Sequence, residues 1–136
     1  MSELEQKTLK NPPTKNFFEE KFRSLGFEQL TEIQKNALQI IYQRKDSLIV
    51  APTGSGKTEC AVIPIFSQIK KIKKQGKIKT LYVTPLRALN RDVFRRIIKY
   101  AKLEDLTIQI RHGDTSQSDR KKISDSPPDV LITTPE

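Results

Sequence analysis

The order of apolar and polar residues divides the first part of the chain into two helical segments. Apolar side chains recur there every three or four residues, which is the spacing of one helix face. A first helix is predicted from Asn16, with Glu19 completing a capping box and Gly26 at the C-terminal end. A second is predicted from Thr31 to about Gln43. Their apolar stripes are Phe17, Phe18, Phe22 and Leu25, and Ile33, Ala37, Leu38, Ile40 and Ile41.

Further along, short apolar runs alternate with helical segments. The runs predict strands at Ser47–Val50, Thr80–Val83, Leu106–Ile110 and Asp129–Thr133. The segments between them predict helices at Lys57 to about Lys74, at Leu86 to Lys102, and at Ser118–Ile123 with Ser116 or Ser118 as its cap. Strands that alternate with helices indicate an α/β fold, in which a parallel sheet is covered by helices on both faces.

The same pattern suggests how the chain is organised. Residues 1–13 are polar, have no period and end in Pro-Pro, so they are predicted to be a flexible lead-in. Residues 14–136 are predicted to form one α/β domain, with the two helices at 14–45 and the alternating part at 46–136.

The segment Ala51–Thr58 reads Ala-Pro-Thr-Gly-Ser-Gly-Lys-Thr and follows the apolar run Leu-Ile-Val. Gly54 and Gly56 allow a tight turn that brings backbone N–H groups close to a polyphosphate. Lys57 is suited to the β- and γ-phosphates of a nucleotide, and the Thr58 hydroxyl to Mg²⁺. A glycine-rich turn without function is the alternative. The Lys-Thr pair and the preceding apolar run favour a phosphate-binding loop at the N-terminus of a helix.

Polar or glycine residues follow all four predicted strands. They occupy residues 51–58, 84–87, 111–114 and 133–136. In open parallel sheets, ligands bind outside the carboxyl ends of the strands. The four segments are therefore predicted to converge on one edge of the sheet.

The formal charge of +9 is unevenly distributed. Between Cys60 and Lys102 there are twelve basic residues and one acidic residue, a net charge of +11, and the rest of the chain is slightly acidic. Such a field favours a polyanionic partner. For Lys70–Lys79 alone, a solvated basic surface is the simpler interpretation.

Several classes of protein are disfavoured by composition. No apolar run approaches the length of a membrane span, and the charged start lacks the apolar core of a signal peptide. The single cysteine, Cys60, permits no internal disulfide, which fits a reducing cytoplasm, and its expected role is helix packing. His112 is the only histidine, so a histidine–cysteine metal site and a Ser-His-Asp arrangement are implausible.

Four blocks of the chain together resemble the motor domain of superfamily 2 helicases. Ala51–Glu59 is similar to their motif I, and Thr84–Asp92 to their motif Ia. The blocks Arg111–Thr115 with Ser118–Arg120, and Pro127–Glu136, resemble the Lhr (large helicase-related) branch in particular. The likeness covers about Phe27 to Glu136 and implies a RecA-like fold and an ATP-dependent DNA or RNA helicase activity.

The resemblance implies a nucleotide site for ATP and Mg²⁺. In it, Lys57 and Thr58 have the catalytic roles and Thr58 is the metal-binding residue. Gln34 matches a glutamine that reads adenine, although a capping box with Thr31 is a second role that is compatible with the first. The implied nucleotide-binding residues are Gln34, Thr53, Gly54, Ser55, Gly56, Lys57, Thr58 and Glu59.

The resemblance also implies contacts with a nucleic-acid backbone, which helix N-termini and arginine suit. A plain strand-to-helix turn is the alternative at the first block, and Asp114 is expected to orient its turn. The implied residues are Thr84, Pro85, Leu86, Arg87, Gly113, Asp114, Thr133 and Thr134.

Helicases of this type have an Asp-Glu motif II and a second RecA-like domain further along, and no such blocks occur before Glu136. The resemblance therefore covers only part of a RecA-like domain, truncated before motif II. Ser47–Val50 is expected to lack its strand neighbours, and ATP turnover by this polypeptide alone is expected to be weak or absent. A truncated gene product, an expressed fragment and a chain completed by a second polypeptide all remain open.

The sequence admits three functions. The leading hypothesis is the ATP-binding portion of a cytoplasmic, Lhr-like, ATP-dependent DNA or RNA translocase. The alternative is a non-catalytic module that binds nucleic acid or a protein partner. A metabolic kinase is weaker, because it leaves motif Ia and the His-Gly-Asp and Thr-Thr-Pro-Glu blocks unexplained.

Overall fold

A computed structural model describes residues 14–72, 76–85 and 91–135. The predicted lead-in at 1–13, the start of the predicted helix at Leu86, the candidate residue Arg87 and the last residue, Glu136, lie outside the described residues. The chain forms two compact units, Met1–Ile65 and Phe66–Glu136.

The first unit begins with two helices, α1 (Lys15–Ser24) and α2 (Glu32–Tyr42). Phe18, Phe22, Leu38 and Tyr42 are buried in its core. The rings of Phe18 and Tyr42 meet edge to face, with their centroids 5.7 Å apart. Burial of these large apolar side chains is the main force that holds a short helix pair together.

The predicted start of α1 is wrong in detail. Its N-cap is Thr14, in extended conformation, and no side chain caps the helix, so a capping box from Asn16 to Glu19 is absent. The helix begins earlier because the Phe17 N–H already donates to the Thr14 carbonyl, at 3.0 Å. At the other end, Gly26 has the positive φ that a residue after the C-cap needs, as predicted.

The capping box of α2 is confirmed. The Thr31 hydroxyl accepts from the Gln34 N–H, and the Gln34 side chain accepts from the Thr31 N–H. The buried side of α2 includes Gln34, Ala37, Leu38 and Tyr42. Ile40 does not share that side and is exposed, so its predicted burial is wrong.

The predicted strand Ser47–Val50 is not formed. Residues 45–50 have no regular secondary structure, and Leu48 and Val50 are 91% and 81% exposed. A strand needs partners for its backbone N–H and C=O groups. Among the described residues, no strand pairs with this segment. The expected lack of strand neighbours for Ser47–Val50 therefore holds within the described residues, and without them the apolar run does not form a strand.

Helix α3 (Lys57–Ile69) follows the phosphate loop and crosses from the first unit into the second. It is shorter than predicted, because it ends at Ile69 and residues 70–72 are not helical; the rest of the predicted helix, 73–74, lies outside the described residues. Cys60, Val62, Ile63 and Phe66 are among its buried residues.

The second unit contains a parallel sheet of β1 (Thr80–Val83), β2 (Ile108–Arg111) and β3 (Val130–Thr133), in the order β1-β3-β2. The central strand β3 is buried from Val130 to Ile132, on both faces, as the pattern predicted. One face of β1 is open, because Leu81 and Val83 are exposed. Coverage of both faces therefore holds at the centre of the sheet and fails at β1.

Helices α4 (Arg91–Leu103) and α5 (Gln117–Asp125) connect the strands. Helix α4 buries Ile97, Tyr100 and Ala101, and α5 buries Ile123. Ser116 is the N-cap of α5, and its hydroxyl accepts from the Asp119 N–H at 3.1 Å. This confirms one of the two predicted caps.

A polar cluster fixes the amino ends of the strands. One carboxylate oxygen of Asp129 accepts from the Thr107 N–H and hydroxyl, both at 2.9 Å, and the other lies 2.7 Å from Lys79 Nζ. Burial opposes ionisation of Asp129, but the hydrogen bonds from Lys79 and Thr107 outweigh it and hold the pKa of its carboxyl below the usual value. The cluster ties the segments before β1, β2 and β3 together.

Candidate functional site

The phosphate loop has the backbone that its glycines were predicted to provide. Gly54 and Gly56 have φ of 82° and 85°, a left-handed conformation that side chains disfavour. The Ser55 N–H donates to the Pro52 carbonyl across the turn, at 3.4 Å. Lys57 then begins α3, whose first N–H groups have no acceptor within the helix.

The N-terminus of α2 is joined to this loop by two side chains. The Thr31 hydroxyl donates to the Ser55 carbonyl at 2.9 Å, and Gln34 Nε2 donates to the Gly56 carbonyl at 3.3 Å. Gln34 is 2% exposed, and a Cβ at Gly56 would overlap its Nε2 atom. The sequence indicated the capping box of Gln34, but not its second contact 22 residues away.

The Lys57 side chain folds back over the loop. Its Nζ donates to the carbonyls of Ala51 and Pro52, the latter at 2.7 Å. A cation held by two neutral carbonyls is available to an anion, because its hydrogen bond to a charged phosphate oxygen is stronger than one to a neutral carbonyl.

Other features of the loop fit a polyphosphate. The Ser55 hydroxyl is buried and has no hydrogen-bond partner among the described residues. Such an orphaned group is costly unless a ligand or water satisfies it. Thr58 is half-buried in the first turn of α3, whereas Glu59 is buried. No cluster of three or more His, Cys, Asp or Glu residues within the described ranges would hold a metal alone.

Cys60 lies one turn further into α3 and is fully buried. Its Sγ donates to the Ile33 carbonyl at 3.7 Å. Burial raises the pKa of the thiol to about 11, which disfavours the reactive thiolate. The expected role in helix packing is thus confirmed.

In the second unit, the exits of β1 and β3 are bonded to each other. The Thr84 N–H donates to the Thr133 carbonyl at 3.0 Å, and the Thr133 hydroxyl donates to the Thr134 carbonyl at 3.4 Å. Thr84 and Thr134 are buried, and the Thr134 hydroxyl has no partner among the described residues. Pro85 is exposed, and its successors Leu86 and Arg87 are not described.

The exit of β2 is a turn held by one arginine. The Arg120 guanidinium donates to the carbonyls of Thr115 and Gly113, at 2.9 and 2.7 Å. The Thr115 hydroxyl accepts from the His112 N–H at 2.8 Å. Gly113 and Asp114 are exposed at the tip of this turn. The sequence indicates Arg120 only as part of a family block, and its role in holding the turn follows from the three-dimensional contacts.

The three exits of the second unit share one edge of the sheet. Val83 of β1 and Arg111 of β2 are both in register with Thr133 of β3. This confirms the predicted convergence for the segments after β1, β2 and β3. The fourth segment, the phosphate loop, belongs to the first unit.

Within the described residues, no helix is long and apolar enough to cross a membrane.

Comparisons with known proteins agree with this geometry. The family model described as DEAD/DEAH box helicase matches residues 31–136. The ATP-dependent helicase Lhr-Core of Sulfolobus acidocaldarius is 35% identical over 143 aligned positions, which cover 95% of this chain and 16% of that protein. The chain thus spans about a sixth of that relative's length.

Two solved structures show the same fold. The helicase Lhr of Mycobacterium smegmatis, bound to ssDNA and AMP-PNP, aligns with a TM-score of 0.62 at 34% identity, covering 85% of this chain and 16% of that one. The DEAD-box helicase Mss116, bound to ssRNA and UDP-BeF, aligns with a TM-score of 0.68 at 25% identity, covering 93% and 27%. The parallel sheet with its helices is therefore that of RecA-like helicase domains, as the sequence predicted.

Proposed function

Because the chain belongs to the DEAD/DEAH box helicase family, we propose that it is the ATP-binding portion of an Lhr-like, ATP-dependent DNA or RNA helicase. In this proposal it binds ATP with Mg²⁺ through the phosphate loop and a nucleic-acid backbone through the strand exits. A second polypeptide that completes the motor finds no support in the comparisons and is not part of the proposal. The proposed location is the cytoplasm, in keeping with a single, buried cysteine.

The phosphate loop is proposed to hold the nucleotide. Lys57 would exchange its two loop carbonyls for phosphate oxygens, and the Ser55 hydroxyl would gain the partner that it lacks. Thr58 would place its hydroxyl on Mg²⁺, while Thr53, Gly54 and Gly56 would shape the loop, with Glu59 behind it. Bound Mg²⁺ supplies neutralisation of the phosphate charge.

Gln34 is proposed to serve both the loop and the adenine base. Its Oε1 accepts from Thr31 N–H, and its Nε2 donates to the Gly56 carbonyl. An amide has two lone pairs on oxygen and two N–H groups, so Gln34 retains one lone pair and one N–H group for further hydrogen bonds. The lone pair suits the exocyclic amine of adenine, and the N–H group suits a ring nitrogen.

The strand exits are proposed to hold the nucleic-acid backbone. Gly113 and Asp114 are exposed at the tip of a clamped turn, and Thr133 lies beside it in register with Arg111. The buried Thr84 and Thr134 act through their backbone and through the orphaned Thr134 hydroxyl. Pro85, Leu86 and Arg87 are proposed to complete this contact at the start of the next helix.

The observation that carries the proposal is the loop itself: two left-handed glycines, an orphaned Ser55 hydroxyl and a folded-back Lys57, all at the start of one helix. The likeness to a helicase bound to ssDNA and AMP-PNP supports the same assignment.

Calorimetric titration with Mg²⁺ and AMP-PNP tests it. We expect Lys57→Ala to weaken binding about 10- to 100-fold, since a hydrogen bond to a charged group contributes about 1.5–3 kcal/mol. Lys45→Ala is the matched control, because Lys45 is an exposed lysine of the same unit. A different result would favour the non-catalytic module. In that case the wild type would bind no nucleotide, and both the wild type and Lys57→Ala would bind a single strand equally well without nucleotide.

A further inference from the structure

Helix α4 (Arg91–Leu103) has a basic stripe on its outer side. Arg95, Lys99 and Lys102 are exposed and recur at intervals of four and three residues, so they lie on one face. The opposite side packs inward through buried Ile97 and Tyr100. We refer to Arg95, Lys99 and Lys102 as the α4 stripe.

The charges of the α4 stripe are not neutralised by nearby acids in the described structure. None of the three makes an ion pair with a residue in the ranges 14–72, 76–85 and 91–135. The only acid of α4 is Asp92, in its first turn. Two acids follow the helix directly: Glu104 is buried and paired with Lys70 at 3.5 Å, and Asp105 is exposed and makes no ion pair with the stripe.

Folding does not explain this arrangement. Like charges at i,i+3 and i,i+4 destabilise a helix by about 0.2–0.5 kcal/mol per pair, and the stripe contains one pair of each kind. Only Lys102, in the last turn, gains from the helix dipole. A neutral polar residue at these positions would serve the helix as well or better, so a polyanionic partner accounts for the cations more fully.

The dimensions of the stripe suit consecutive phosphates. Seven residues at a rise of about 1.5 Å place Arg95 and Lys102 about 10 Å apart along the helix axis. Phosphates on one strand of B-DNA follow each other about every 3.4 Å along its axis and are farther apart along the winding backbone, so the stripe is long enough to face consecutive phosphates.

The stripe is separate from the strand exits. Helix α4 connects the parallel strands β1 and β2, so it runs back from the carboxyl edge of the sheet toward the amino edge. The stripe therefore extends away from the edge where Thr133 and Gly113 lie.

We propose that the α4 stripe is a second nucleic-acid contact, which holds the phosphates of the DNA or RNA that flanks the strand at the exits. The contact is electrostatic and independent of base sequence. It rests on the proposed function in one respect, namely that the chain binds nucleic acid.

The test compares two triple variants with equal charge. One carries Arg95→Gln, Lys99→Gln and Lys102→Gln. The control carries Lys45→Gln, Lys77→Gln and Lys121→Gln, three exposed lysines that are not part of α4. Binding of fluorescein-labelled oligothymidine and oligouridine is measured against salt, together with AMP-PNP binding and thermal unfolding.

We expect the stripe variant to bind either strand about 100-fold more weakly at 0.1 M salt, with a log–log salt slope shallower by about 2, as the loss of three phosphate contacts on a single strand requires. Its melting temperature should equal or exceed that of the wild type, and AMP-PNP binding should be unchanged. The control should retain the wild-type slope.

Equal losses in the two variants would show a general charge effect and overturn the α4 contact, and so would a stripe variant with the wild-type slope. A wild-type chain that binds AMP-PNP but neither strand would instead contradict the nucleic-acid part of the proposed function. The two failures are therefore distinguishable.

Discussion

The side-chain amide of Gln34 lies 3.3 Å from the carbonyl oxygen of Gly56, at the point where the phosphate loop becomes helix α3. The same carbonyl accepts the first helical hydrogen bond, from the Cys60 N–H at 3.0 Å. Gly56 thus joins the support from α2 to the start of α3. The shape of the phosphate loop depends on both glycine conformation and the buried glutamine.

Gly56→Ala should destabilise the protein more than Gly54→Ala. Both glycines have positive φ, so alanine is strained at either position by about 1–2 kcal/mol. Only at Gly56 would the added Cβ overlap another residue, the Gln34 amide, whereas nothing lies within 4 Å at Gly54. Thermal and urea unfolding of both variants measures the difference, and equal losses would show that Gln34 does not contact the loop.

Gln34→Ala should weaken the binding of both ATP and inorganic tripolyphosphate, because the loop loses its support in either case. We expect a larger loss of affinity for ATP, since the remaining lone pair and N–H group of the amide are proposed to contact adenine. Competition assays with the two ligands measure the ratio. The same loss for both would assign Gln34 to the loop alone.

Local patterns predicted the capped helix α2 and the strand β1 well, because their signals lie within a few residues. Such local signals predict the capping box of Thr31 and Gln34 and the bounds of β1, Thr80–Val83. The phosphate loop is also predicted from local sequence, since Gly54 and Gly56 occupy the positions that need positive φ.

The errors arose where distant parts of the chain decide the outcome. The apolar run at 47–50 signals a strand, but a strand also needs neighbours, and Leu48 and Val50 are exposed instead. Gln34 contacts Gly56, 22 positions away, and Arg120 contacts Gly113, 7 positions away. These contacts do not arise from the repeat of a helix or a strand. Such contacts follow from packing and could not be predicted from local pattern.

Asp129→Asn should destabilise the protein near neutral pH by about 1–3 kcal/mol, because the Lys79 ammonium loses its anion and the Thr107 pair loses a charged acceptor. The folded-state pKa of Asp129 lies below the unfolded value near 3.8. Its contribution is therefore full above that value and is lost as the pH falls through the folded pKa.

Urea unfolding of the wild type and Asp129→Asn between neutral and acidic pH measures this dependence. The two stabilities should converge in strong acid. A gap that persists unchanged at the acidic end would show that the ionised carboxylate contributes nothing.

Cys60 should react slowly with an aromatic disulfide reagent in the folded protein. The shift of its pKa from 9.0 to about 11 lowers the thiolate fraction about 100-fold, and the fully buried sulfur has little access to solvent. The rate in denaturant is the reference. A native rate close to the denatured rate would contradict the packing of α3 against Ile33.

The central claim is that the loop around Gly56 binds the phosphates of a nucleotide. Nuclear magnetic resonance of the amide signals of Gly54 and Gly56, during titration with Mg²⁺ and ATP, tests it most directly. We expect saturable shifts of both signals in the folded wild type, and weak or absent shifts in Lys57→Ala. Signals that remain unmoved at high ATP in folded wild-type protein would contradict the nucleotide site and the helicase assignment built on it.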